Sequence, residues 1–156
     1  MYDGFPHPWG FGASDDLTPD LSEPMRLVEM LRKSGIKLLN LTAGSPSIFT
    51  ITCPRDNGPE HPLAGVARML SFTGEIKKAN DDMLIVSSAY SYLRKFSPFA
   101  AAGMISEGLS DFAGYGRLTF AYPDAARDII ENKFDENKVC LCCNHCGYPC
   151  RVQKSK

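Results

Sequence analysis

The chain has 156 residues, 44% of them hydrophobic and 22% charged, with a formal net charge of −1. This is the balance of one globular domain with a core of its own, not of a disordered or fibrous chain. No basic run precedes the last few residues and no apolar run reaches membrane-spanning length, which argues against an electrostatic nucleic-acid footprint and a transmembrane segment.

Residues 1–19, MYDGFPHPWGFGASDDLTP, are rich in Gly, Pro and aromatics and read as an irregular loop. They lack the pattern of a signal peptide, and the expected location is the cytoplasm. A helix follows. Ser22 or Asp20 can cap it, Pro24 suits its first turn, Met25, Leu27, Val28 and Leu31 form one apolar face, and Gly35 stops it. Residues 36–41 then read as a strand. Residues 44–62, GSPSIFTITCPRDNGPEHP, carry four prolines and form a second long loop, of a length that commonly serves function. Residues 63–79 read as a helix with Gly74 as its weak point. Residues 83–86, MLIV, are an unbroken apolar run, as expected of a strand buried on both faces. Ser97 and Pro98 open another helix, which Gly108 ends. A short buried strand, a glycine turn and a last helix over residues 124–132, with Ala125, Ile129 and Ile130 inward, follow. Short apolar strands alternating with helices predict a parallel α/β sheet.

Two stretches carry chemistry. In residues 108–124, GLSDFAGYGRLTFAYPD, a strand ends in glycines and opens onto a helix start. Backbone N–H groups and the helix dipole suit an anion there, and Arg117 adds a fork matched to phosphate oxygens. The same residues also fit a plain βα turn with Arg117 in a surface ion pair. The second stretch is C-terminal, where Cys140, Cys142, Cys143, Cys146 and Cys150 lie too close together for ordinary disulfide geometry. Cys140, Cys143 and Cys146 are spaced C-x2-C-x2-C, so three thiolates can converge on one cluster or ion with Cys150 as a fourth, while Cys142 points away. Zinc, with His145 replacing one thiolate, and plain reduced thiols fit this spacing as well. His61 reads as a capping or surface histidine, and Tyr90 and Tyr92 as packing residues. Arg94 and Lys95 fit either a phosphate neighbourhood or a solvated helix start.

The αβ units with a Gly-Arg turn match the last part of a (β/α)8 barrel, in which the loops after strands seven and eight form the phosphate site. The blocks NLTAGSP, EHPLAGVARML, SAYSYLRKFSPFAAAGMISEG, GYGRLTFAYPDAARDII and KVCLCCNHC also carry a family resemblance. They resemble the NADH:flavin oxidoreductases, the old yellow enzyme family, in the branch similar to 2,4-dienoyl-CoA reductase and the bile-acid-inducible flavin enzymes. The resemblance covers nearly the whole chain and is most specific over residues 88–128.

The resemblance implies the C-terminal portion of a TIM barrel, about three βα units (strands six to eight) over residues 1–138, with a Cys-rich tail over residues 139–156. It implies FMN, its phosphate held by Ser87, Ser88 and Ala89 after strand seven and by Gly116 and Arg117 after strand eight. Relatives tend to carry glycine where this chain has Ser87 and Ala89, so a position there needing a positive φ would be strained. The branch also carries a 4Fe–4S cluster, which implies Cys140, Cys143 and Cys146 as ligands. Its fourth cysteine usually lies farther downstream than Cys150. The parent enzyme would take hydride from NAD(P)H and reduce an activated C=C bond of an enone or enoyl substrate. Family counterparts of the flavin-ring contacts and the catalytic acid lie on the first five strands, for which this chain has no match. It is therefore expected to be a fragment without a catalytic residue of its own, inactive alone, whose partner is the rest of the barrel or another copy. A zinc-binding α/β interaction module is the alternative.

Overall fold

The computed structural model describes residues 10–11, 19–42 and 61–143. The elements run β1 (Gly10–Phe11), β2 (Pro19–Asp20), α1 (Ser22–Lys33), β3 (Leu38–Asn40), α2 (Pro62–Ala79) and β4 (Leu84–Ser87). A 3-10 segment (Tyr90–Phe96), α3 (Ser97–Ser106), β5 (Phe112–Ala113), α4 (Arg117–Ala121) and α5 (Ala125–Ile130) follow. The expected alternation of helix and strand is present, and the sheet is parallel in the order β3-β4-β5. The antiparallel pair β1–β2 falls within the stretch read as an irregular loop. Most of that stretch, and most of the 44–62 loop, lies outside the described residues.

Local signals account for the helix ends. The Asp20 carboxylate accepts the Ser22 N–H at 2.9 Å. Gly35, at φ 88°, follows α1 where a left-handed residue ends a helix with least strain. His61 caps α2 as expected, its Nδ1 accepting the Leu63 N–H at 3.2 Å, and Pro62 occupies the first turn. α2 runs unbroken through Gly74. This glycine is buried, and a Cβ there would approach Leu109 to 3.2 Å, so its missing side chain lets that leucine pack on the helix.

The two faces of the sheet differ. Leu39, Leu41 and Ile85 pack on one side with Val28 of α1, Ile76 of α2 and Met83. On the other side Leu38, Leu84 and Phe112 are 53%, 45% and 49% exposed. The register aligns Leu38 with Leu84, and Val86 with Phe112, so the exposed residues share one face. This corrects the expectation that the MLIV strand and the strand ending at Ala113 are buried throughout. Among the described residues helices cover one face only, and β3 and β5 are unpaired at their outer edges. The last helix is also shorter than expected. Ala125 is buried and Ile129 half-buried, but Ile130 is 85% exposed, because Ala125 alone reaches the cluster of Leu118, Tyr122 and Val139. No described helix is long and apolar enough to cross a membrane.

Candidate anion-binding cleft and cysteine strap

Parallel strands deliver their C-terminal ends to one rim, and the loops that leave them meet there. Here that rim forms a cleft of about 410 Å³ lined by Asn40, Thr42, Ser88, Ala89, Gly116 and Arg117, with Met69, Ser91, Gly114 and Tyr115 as its walls. Four of the five residues expected to hold a phosphate line it. The fifth, Ser87, faces the core. It is wholly buried, and its hydroxyl bonds to the Tyr90 hydroxyl, to Ser110 Oγ at 3.0 Å and to the Phe112 carbonyl at 3.1 Å. Ser87 thus anchors the start of the loop from below.

Above that anchor Ala89 takes φ 82° and ψ 1°, the left-handed conformation that glycine adopts freely and alanine does not. The expected strain therefore falls on Ala89. Two glycines of the β5–α4 connection line the cleft with it. Gly114 is needed for packing, since a Cβ there would meet Val86 Cγ1 at 3.1 Å and Ser88 Oγ at 3.2 Å. Gly116 is different. A Cβ there would meet nothing within 4 Å, so the fold leaves open space where a ligand can approach the backbone.

Arg117 is half-buried, and its guanidinium carbon lies 4.5 Å from the centre of the Tyr92 ring, a stacking contact that fixes the fork at the cleft wall. The helix it opens adds little, because α4 is only five residues long. The Leu118 N–H of that helix is already taken by Ser91 Oγ at 3.2 Å. The charge favouring an anion therefore comes from the arginine rather than from a helix dipole. Burial pushes the Tyr115 phenol up. Among the described residues the lining includes no carboxylate. Arg94 and Lys95 point elsewhere. Arg94 Nη2 donates to the Leu141 carbonyl at 3.3 Å, and Lys95 pairs with Glu136 at 3.1 Å.

That Arg94 contact belongs to the second feature, a strap of residues 139–143 lying on the 3-10 segment. Val139 is buried beside Leu118 and Tyr122. The Cys142 thiol is buried and donates to the Ser91 carbonyl at 3.4 Å. Cys142 N–H in turn approaches Cys140 Sγ at 3.3 Å. Cys142 is thus directed into the protein, Cys140 is half-buried and Cys143 exposed. Among the described residues no group of three metal-ligating side chains converges. Cys146 and Cys150, the other two expected ligands, lie outside the described residues.

Sequence reasoning missed Asn40 and Thr42. The available signal was their polarity at alternate positions where an otherwise apolar strand runs out, in LLNLT. No family model, curated protein or solved structure matches the chain.

Proposed function

We propose that this chain is the C-terminal part, about three βα units, of a cytoplasmic FMN-dependent NAD(P)H oxidoreductase barrel of the ene-reductase type. Its share of the enzyme is the grip on the flavin phosphate and part of an iron–sulfur site. The observation that carries this reading is the cleft at the C-terminal rim of the sheet, with one stacked arginine, a serine hydroxyl, an open glycine and no carboxylate among its described lining residues. Arg117 supplies charge and Gly116 a backbone that a phosphate can touch. The bare sheet face is a second support. Leu38, Leu84 and Phe112 form the kind of surface that the interior of a closed barrel buries, and the outer edges of β3 and β5, unpaired among the described residues, are where further strands would pair.

FMN, when bound, supplies hydride acceptance from NAD(P)H and hydride delivery to an activated C=C bond. The residues of this chain hold and orient it by the phosphate, and none of them is assigned a proton transfer. Cys140 and Cys143, with Cys146 and Cys150, are the proposed cluster ligands. The Cys142 N–H aimed at Cys140 Sγ is a contact of the kind that tunes iron–sulfur centres.

Phosphorus NMR of FMN titrated with the full chain tests the grip. The FMN phosphorus resonance is expected to shift, riboflavin is expected not to compete, and Gly116→Ala is expected to abolish the shift while leaving the circular dichroism spectrum intact. An unchanged resonance with wild-type protein overturns the reading. For the strap, anaerobic reconstitution with iron and sulfide is expected to yield a bound chromophore. Stoichiometric zinc without flavin binding would favour the zinc module instead.

A further inference from the structure

We infer that Asn40 is a third anchor of the phosphate, a neutral donor presented from β3, and that its orientation is set by Ser88. This rests on the phosphate-site reading of the cleft and extends it to a strand to which the phosphate grip had not been assigned. Asn40 lies 48 positions before Ser88 in the chain, yet Ser88 Oγ donates to Asn40 Oδ1 at 3.0 Å. A carboxamide has one acceptor oxygen and one donor nitrogen. With Oδ1 engaged by Ser88, the end that Asn40 offers the cleft is its NH2 group, with two N–H bonds. The same contact orients the Ser88 hydroxyl, so the two side chains hold each other at the rim.

The surroundings suit a donor in this position. Asn40 and Thr42 both line the cleft that Gly116 and Arg117 close from the opposite side. The site therefore offers a phosphate monoester a charged fork at one wall and neutral donors at the other. Neutral donors restrict the ligand. An aspartate in this place would keep the bond from Ser88 but repel the anion, so Asn rather than Asp makes the wall compatible with phosphate.

That difference supplies the test. Phosphorus NMR titrations of the full chain use FMN and inorganic phosphate as probes and riboflavin as a competitor, on wild type, Asn40→Asp, Asn40→Ala and Arg117→Ala, with circular dichroism reporting the fold. Asn40→Asp is expected to weaken FMN by about tenfold or more and Asn40→Ala by less, in the range of one lost hydrogen bond to a charged group. Inorganic phosphate is expected to follow the same order, and riboflavin to show no specific effect. If Arg117→Ala loses binding while Asn40→Asp and Asn40→Ala stay within about twofold of wild type, the phosphate reading stands and the role of Asn40 falls. If wild type binds neither FMN nor inorganic phosphate, both fall. Should Asn40→Asp alone disturb the fold, Asn40→Ala decides.

Discussion

The two faces of the β3-β4-β5 sheet have equally apolar residues and opposite fates. Ile85 is wholly buried against helices α1 and α2, whereas its neighbour Leu84 is 45% exposed on the other side. Composition does not separate them, because LIV is apolar at every position. The difference is what lies above each face. Helices supply a lid on one side, and the other side presents an apolar patch of the kind that marks an interface. The covered face holds the sheet together, and the bare face points to whatever completes it.

The largest expected effect breaks the covered face. Ile85→Ala is expected to lower stability by about 3 kcal/mol, from lost burial plus the cavity left between the helices, read as a fall in urea midpoint. Next comes Asp111, whose carboxylate accepts the Ile85 N–H at 2.7 Å and pairs with Lys77 of α2 at 2.9 Å. Asp111→Ala is expected to cost about 2 kcal/mol, since it strands a strand amide and leaves the mostly buried Lys77 ammonium with only the Asp81 and Met83 carbonyls as partners. Burial by itself would raise the Asp111 pKa, but the Ile85 N–H and the Lys77 ammonium outweigh it and the net shift is downward. A carboxyl with a depressed folded-state pKa adds stability that is fully present above its unfolded value and is lost as pH falls through the folded one. Wild type should therefore lose stability below about pH 4, and the Asp111→Ala chain should lose less over the same range in acid unfolding curves.

Two smaller effects sharpen the contrast. Gly114→Ala is expected to cost about 1 kcal/mol, because its Cβ would press on Val86 Cγ1 and on the Ser87 carbonyl at 3.3 Å. Leu84→Ser, on the bare face, is expected to change the stability of this chain by no more than about 0.5 kcal/mol and to reduce its self-association in size-exclusion chromatography. A loss from Leu84→Ser comparable to that from Ile85→Ala would show that the bare face is covered in solution, and the comparison would fail.

The sequence by itself determined the features that depend on near neighbours. The alternation of helix and strand, the Asp20 bond to the Ser22 N–H before α1, the His61 cap and the glycine at 35 follow from propensity and capping within a few residues. The strain at Ala89 was expected only from the family resemblance, at Ser87 or Ala89, and the fold puts it on Ala89. Only the tertiary structure decided which apolar face is covered, because periodicity marks two faces of a strand without saying what packs on either. Only it directed Ser87 into the core, laid the cysteine strap on the 3-10 segment and brought Asn40 to Ser88 across 48 positions. These last contacts join residues far apart in the chain, and no local preference encodes them. The contact of Asn40 with Ser88 exists because parallel strands, once aligned in register, carry their C-terminal ends to the same rim.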